Sequence, residues 1–588
     1  MSAHAGVRAA MLLALCGVLA SVLAQAAKRP QHSDEKRPQH SDEKRPQHSD
    51  EKRPQRSDES RVAAVFADFA RDDTPGCAVG VARDGLPPLL AAYGMSDLVA
   101  HRPLVPGSVF NIASVSKQFT AFSILLLAQQ HSLNLDDPVS KYLPELAPSA
   151  AGVTLRHLLH HTGGLRDYEG LLNLAGRKTT QGATQHETIE LLGRQRAPNA
   201  PPGLEFDYSN TGYVVLGTVV ERVSGLSLRM FEAQNIFDPL GMRETTVVDR
   251  YPTRIAALAR GYEPTAKGFE IDEAAWEQVG DGQVHTTVSD LLRWAENFHT
   301  AAIGGADVIR QMLETGTLAS GEPLDYASGV KVGRYRGLPT VRHSGSWAGY
   351  RAHLLLFPEQ RFAVAVLCNR TDAQTKRRIE AIAEIFLGER MSEPEKPGQT
   401  LRAVAQLPGL TGPDNMPSGA YRKTRDGVYL RLAAGGSTGS RLAYDGESMA
   451  PYPLAQGVYG LRERNDLYVA FIRAPAAPAR IVVDSEGEQD VFDWVPAWNP
   501  TNLADQAGRY WSAEAQARCD IAFRNGALRL EICSDDAALE PGAQDELVTT
   551  NGLASLRFYG RVAAPAGVSA GFELYTPGIR GLRFERLP

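Results

Sequence analysis

From Phe119 to Ala128, apolar side chains fall on nearly every side of the chain (Phe119, Ala121, Phe122, Ile124, Leu125, Leu126, Leu127, Ala128). That pattern predicts a helix buried within a large protein. Upstream, Cys77-Ala78-Val79-Gly80-Val81-Ala82 and Pro88-Leu89-Leu90-Ala91-Ala92-Tyr93 flank Arg83-Asp84-Gly85, a β-hairpin signal. Downstream, Tyr350 to Phe357 and Arg361 to Cys368 are apolar runs on either side of a Pro358-Glu359-Gln360 turn. The second run is continuous, as a strand covered on both faces would be. Helices are predicted over Arg61 to Phe69 and from about Asp372 to Leu387, and residues 135 to 240 read as helix and loop. Strands at both ends with helices between predict an α/β (α+β) domain, its terminal parts sharing one antiparallel sheet flanked by helices.

The texture changes after this domain, which is assigned to residues 61–395. A Pro- and Gly-bearing linker is expected over 396–414. Short strands with Gly turns then continue to the end, predicting antiparallel β-barrel or sandwich modules. Gly419-Ala420-Tyr421-Arg422 and Gly508-Arg509-Tyr510-Trp511 resemble each other about 90 residues apart, each opening a β segment. Two related modules, 415–499 and 500–588, follow from this.

The N-terminal end has its own pattern. Arg8, the apolar run Met11 to Ala24 and the small-x-small Ala24-Gln25-Ala26 read as a secretory signal peptide over 1–26. An uncleaved anchor is the alternative, because Ala9 to Ala27 nearly reaches spanning length. The expected location is periplasmic or secreted, with membrane contact only if that segment stays attached. Residues 27–60 hold four copies of an octapeptide, Lys-Arg-Pro-Gln-His/Arg-Ser-Asp-Glu, between 28 and 59. The repeat has balanced charge and no large apolar side chain, so it predicts a disordered tether of roughly 30 Å.

Composition narrows the function classes. The chain has 588 residues, too many for one core, and a net charge of −6 that gives no basic excess for nucleic acid. Five cysteines at irregular spacing argue against a disulfide scaffold and fit no zinc pattern. Around Asn525-Gly526, a two-residue turn pairs Cys519 with Ile532, Ile521 with Leu530 and Phe523 with Leu528. Cys533 then lies on the face opposite Cys519, which argues against a bond between them. His157, His160 and His161 lack further ligands in pattern, and Gly435-Gly436-Ser437-Thr438-Gly439 lacks the strand and helix of a nucleophile elbow. No metal or cofactor is expected, and a homodimer stays open.

Chemistry concentrates at the start of the buried helix. Asn111-Ile112-Ala113-Ser114-Val115-Ser116-Lys117 places a serine and a lysine three residues apart on one helical face. A lysine held among apolar flanks can lose its proton and serve as base to the serine. Two further stretches stand at element ends. Phe206-Asp207-Tyr208-Ser209-Asn210 precedes the helical run Val214 to Val223, and Val341-Arg342-His343-Ser344-Gly345-Ser346 ends a strand.

In this order, S-x-x-K, Y-x-N and H-x-G resemble the three signature elements of the serine β-lactamase and penicillin-binding family. The branch is the class C-like one, and Gly164-Leu165-Arg166-Asp167-Tyr168, the third-motif histidine and two terminal β modules are similar to D-aminopeptidases. The resemblance covers about residues 61 to 390. It implies a serine hydrolase that forms an acyl-enzyme on Ser114 and acts on a small peptide, amide or ester. Lys117 and Tyr208 would share the base role, and His343 would support Tyr208 or the substrate. The backbone N–H groups of Ser114 and Ser346 would form the oxyanion hole, while Asn210, Ser344 and Gly345 would bind substrate. Relatives with Lys in the third motif offer a fixed cation to a β-lactam carboxylate; a histidine is mostly neutral at pH 7. The reading is therefore a peptide hydrolase of the D-aminopeptidase kind, with a D,D-carboxypeptidase or esterase as alternative. A noncatalytic penicillin- or peptidoglycan-binding protein is the rival from another class. In the D-aminopeptidase family a loop of the last barrel limits substrate size. The acidic stretch Ser534 to Glu546 is its candidate here, although it reads first as a solvated loop.

Overall fold

The computed structural model describes residues 57–393 and 409–588, apart from short stretches in the C-terminal half (424–425, 436–438, 445–446, 456, 463–466, 476, 486–487, 500–502, 525, 533–534 and 561–567). The signal segment, nearly all of the octapeptide repeat, most of the expected linker, Cys533 and the middle of the 435–439 glycine stretch therefore lie outside the described residues.

The domain assigned to residues 61–395, which the resemblance marks as the catalytic one, is built on a six-stranded antiparallel sheet. Its strands are β1 (Cys77–Arg83), β2 (Leu86–Tyr93), β3 (Lys331–Tyr335), β4 (Leu338–Trp347), β5 (Tyr350–Phe357) and β6 (Phe362–Cys368), in spatial order β3-β4-β5-β6-β1-β2. The chain ends of the domain meet where β1 pairs with β6, from Cys77 opposite Cys368 to Arg83 opposite Phe362. Alternation along β6 divides its side chains between two cores, as a strand's period of two demands. Ala363, Ala365 and Leu367 join the large core with α2 (Lys117–Gln129), α4 (Asn210–Ser224) and α5 (Val288–Thr300). Phe362, Val364 and Val366 pack instead with Val62 of α1 (Asp58–Val65) and Ile379 and Ile382 of α6 (Thr375–Leu387). α3 (Tyr168–Leu174) lies in the helical segment between α2 and α4.

One cysteine expectation needs correction. Cys77 and Cys368 form a disulfide across β1 and β6, both fully buried, so the irregular spacing concealed one bridge between residues 291 apart. Spacing along the chain carries no information about pairs that a sheet brings into register. Cys519 is buried, and its strand pairs Cys519 with Ile532, Ile521 with Leu530 and Phe523 with Leu528, the register expected from the Asn525-Gly526 turn.

Beyond the catalytic domain, strands from Leu410 to Trp494 form one antiparallel sheet, and eight strands from Gly508 to Arg586 close into a barrel. Leu410–Thr411 pairs with the strand Leu467–Ile472, so the sheet begins inside the stretch expected as linker. The paired sequence resemblance has a structural counterpart. β7 (Gly419–Lys423) and β8 (Gly508–Ser512) each carry a fully buried tyrosine, Tyr421 and Tyr510. Each donates its hydroxyl four residues back, to Pro417 O at 2.7 Å and Gln506 O at 2.8 Å. The described part of the acidic stretch begins with a strand of the closed barrel, Asp535–Pro541, and its end, Glu546, ties the two modules together. Glu546 bonds Arg422 at 3.2 Å, Arg557 at 2.7 Å and the Tyr429 hydroxyl.

Candidate active site

Ser114 lies in a 3-10 turn, Ala113–Ser116, and the α-helix proper begins at Lys117. The turn is sharp: Ala113 has φ +48°, a left-handed value that non-glycine residues rarely take. Asn111 and Ser116 hold it, Asn111 Oδ1 accepting from Ala113 N at 2.7 Å and Ser116 Oγ from Val284 N at 3.1 Å. The helix behind the turn is buried on all sides from Lys117 to Leu127, which leaves the turn no room to shift.

Lys117 is fully buried with three hydrogen-bonding oxygens around its amine. Nζ donates to Ser114 Oγ at 3.0 Å, Asn210 Oδ1 at 2.8 Å and Asp281 O at 2.9 Å. It also lies 5.0 Å from the ring centre of Tyr208. Tyr208 is 42% exposed, and its hydroxyl makes no hydrogen bond among the described residues. Ser209, not Asn210, caps α4 by accepting from Gly212 N at 3.2 Å. This frees the Asn210 side chain, which joins Lys117 to Glu169 by donating Nδ2 to Glu169 Oε1 at 2.8 Å. Both ends of the amide that sequence reasoning reserved for substrate are thus engaged within the protein.

The third motif closes the other wall. β3 pairs with β4 only as far as Lys331 opposite Arg342, so from His343 onward β4 has a free edge beside the Ser114 turn. Gly345 is required there: a Cβ would sit 2.2 Å from Ile112 O. Ser344 and Ser346 are exposed, and Ser346 lines the same pocket as Ser114. His343 is buried with both nitrogens engaged. Nδ1 donates to Ser344 O at 2.6 Å, leaving Nε2 to accept from the Tyr326 hydroxyl at 2.9 Å. Burial, then the nearby Lys117, lowers its pKa to about 3, so it is neutral at pH 7.

The pocket, about 340 Å³ and open to solvent, also contains groups that sequence reasoning missed. Glu169 and Asp281 line it together with Trp276 and Trp347, whose rings are 5.8 Å apart. Tyr168 donates its hydroxyl to Asp281 Oδ2 at 3.0 Å. Burial pushes Glu169 up to about 8, and the Asp167 and Asp281 carboxylates add to the shift. Asp167 is raised to about 6, chiefly by burial, and Asp281 is raised by the same cause. Glu169 directly follows the quoted Gly164-to-Tyr168 stretch, but a single acid on a short helix carries no signal of its own. His161, which belongs to no metal-ligand pattern in the sequence, lies under Tyr208, ring centres 4.2 Å apart. It grips the Tyr208 loop twice: its carbonyl accepts from Asp207 N at 2.8 Å and Nδ1 from Ser209 N at 3.0 Å. Among the described residues no group of three or more His, Cys, Asp or Glu side chains could hold a metal ion.

The beta-lactamase family model matches residues 62–387, more than half of the chain. The chain belongs to the beta-lactamase family. A penicillin-binding protein of Bacillus subtilis is 32% identical over 324 residues, covering 52% of this chain and 71% of that protein. A D-aminopeptidase of Cereibacter sphaeroides is 28% identical over 384 residues, covering 62% of this chain and 73% of that one. Among solved structures, an octameric penicillin-binding protein homologue from Pyrococcus abyssi superposes with a TM-score of 0.51 at 23% identity. It covers 74% of this chain and 99% of that one. The protein is a serine hydrolase of this family.

Proposed function

We propose that the protein hydrolyses an amide next to a residue with a free amine, in the manner of the relatives named D-aminopeptidase, through an acyl-enzyme on Ser114. The observation that carries this reading is the hydrogen-bonded line Ser114–Lys117–Asn210–Glu169, which puts a carboxyl in the nucleophile's own pocket. A substrate ammonium placed beside Glu169 would draw it into the ionised form and gain a charge-assisted bond. His343, neutral at pH 7, offers no cation for a β-lactam carboxylate.

In this reading Ser114 Oγ attacks the carbonyl carbon while Tyr208 and Lys117 take its proton. Backbone N–H groups of Ser114 and Ser346 stabilise the oxyanion, and the leaving amine is protonated by the same pair. Water then hydrolyses the ester. Ser344 and Gly345 offer the free strand edge to the substrate backbone, and His343 holds that edge in place through Tyr326. The Cys77–Cys368 disulfide supports export to an oxidising compartment, periplasmic or extracellular. No helix among the described residues is long and apolar enough to cross a membrane.

The test is a panel of D-Ala-p-nitroanilide, its N-acetyl derivative, a D-Ala-D-Ala peptide, p-nitrophenyl esters and nitrocefin. The expected result is turnover of the free-amine anilide and loss of activity on acetylation. Equal rates on the acetylated and free substrates would overturn the reading.

A further inference from the structure

The turn between β9 (Gly571–Thr576) and β10 (Ile579–Arg586) of the barrel packs into the catalytic domain at two places. The first is the segment that carries Glu169. Asp167 N donates to Gly578 O at 2.8 Å, and the fully buried Ile579 fills the space beside Gly170. Gly578 has φ +75°, and a Cβ there would lie 2.7 Å from Asp167 Cβ, so only glycine fits. Arg166 reaches into the barrel, donating to Arg580 O at 3.1 Å, Gly581 O at 3.0 Å and Glu514 at 2.8 Å.

The second place is the loop that carries Tyr208. Asn199 brackets the turn, Nδ2 donating to Gly578 O at 2.9 Å and Oδ1 accepting from Arg580 N at 2.8 Å. The largely buried Arg580 guanidinium then binds Glu205 through Nη1 and Asp207 through Nη2 at 3.2 Å. Tyr208 is the next residue. Its hydroxyl has no partner among the described residues, so its station near Lys117 is set by ring contacts and by the backbone on either side. His161 holds that backbone from beneath, and Arg580 holds it from the barrel.

We propose that Arg580 is a positioning residue, which acts through Asp207 and Glu205 to keep Tyr208 over the Ser114–Lys117 pair. The barrel is thereby part of the catalytic apparatus rather than an appended module. Without the guanidinium, the loop loses its ties to the barrel at Glu205 and Asp207, while the hold of His161 from beneath remains. A shift of about 1 Å in such a group costs about 100-fold in rate. A barrel loop that only filtered substrates by size would leave the chemistry on a minimal ester untouched. The inference rests on the acid–base reading of Tyr208.

The experiment uses the full chain and measures the rate at which a small fluorophosphonate labels Ser114, with the p-nitrophenyl acetate burst beside it. Variants are Arg580→Ala, Arg580→Lys, Tyr208→Phe and the Arg580→Ala/Tyr208→Phe double. Arg580→Ala is expected to slow labelling about 30- to 100-fold, with the KM for p-nitrophenyl acetate changed less than about 2-fold. In the Tyr208→Phe background the same change should cost less than about 2-fold, because the group it positions has already gone. Arg580→Lys should recover part of the loss. Where Arg580→Ala does not fold, Glu205→Gln/Asp207→Asn removes the clamp from its other side and carries the same comparison. Equal losses in both backgrounds would mean general loosening and overturn the proposal. Tyr208→Phe labelling at the wild-type rate would sink the reading of Tyr208 and this inference together. A slow Tyr208→Phe beside an Arg580→Ala of wild-type rate would sink the inference alone.

Discussion

The two sides of the site are held by different means. Ser114 and Lys117 stand on a turn and a helix enclosed by the catalytic domain's own core, with Phe119 and Phe122 packed on Trp294. Tyr208 and Glu169 stand on segments whose outer contacts belong to the barrel, through pairs such as Arg166–Glu514 and Arg580–Asp207, 348 and 373 residues apart. The first side draws its rigidity from close packing, where a shift of any side chain costs contacts all round. The second draws it from a few charged and polar bonds, which hold direction well but fail individually. The side that carries the proposed nucleophile should therefore respond to substitution through chemistry, and the opposite side through geometry and substrate recognition.

Ser114→Ala should give the largest effect on activity, a loss of about 10⁴-fold or more, with the melting temperature within about 2 °C of wild type. Wild-type rates in that variant would remove the basis of the comparison. Lys117→Met should cost about 10³-fold and also stability, about 1–3 kcal/mol, since Asn210 Oδ1 and Asp281 O lose their donor. Denaturation that leaves stability unchanged would show that the buried lysine serves the chemistry alone. The disulfide belongs to the packed side. Cys77→Ser/Cys368→Ser should lower stability by about 3–5 kcal/mol while the folded protein still labels at Ser114. Loss of labelling in the folded variant would place the bridge in the site's geometry as well.

Glu169→Gln tests the opposite wall. It should raise KM for free-amine amides about 10- to 100-fold and leave p-nitrophenyl acetate unchanged. An equal effect on both substrates would make Glu169 part of the general scaffold. The smallest effect is on the pH dependence of stability. Folded Glu169 keeps its proton up to about 8, whereas the unfolded chain releases it near the ordinary 4.5, so the folded state holds more protons between those values. Stability from this group is then lost as pH rises across that window. The buried histidines, with His343 at about 3 and His285 at about 4, act in the opposite sense only below their ordinary 6.5. Between pH 6.5 and 8, Glu169→Gln should therefore lose less melting temperature than wild type. Identical slopes would contradict the raised carboxyl.

The sequence alone determined the elements whose cause is local. Alternation and continuous apolar runs placed β1, β2, β5 and β6 within two residues of their observed ends, because strand period and burial are written in neighbouring residues. The all-round apolar run gave α2, and the spacing of Ser114 and Lys117 gave their contact, since three residues on a tight turn bring side chains together. Helix ends were less legible. α1 runs from Asp58 to Val65 rather than over Arg61 to Phe69, because Ser57 supplies a cap that the apolar pattern does not reveal. Only the tertiary structure decided the rest: that Cys77 and Cys368 face each other across a sheet, that His161 lies under Tyr208, and that Glu169 completes the pocket. It alone placed a turn from the last barrel against the catalytic domain. A residue's partners across hundreds of positions depend on how whole elements stack, and no window of neighbouring residues contains that information.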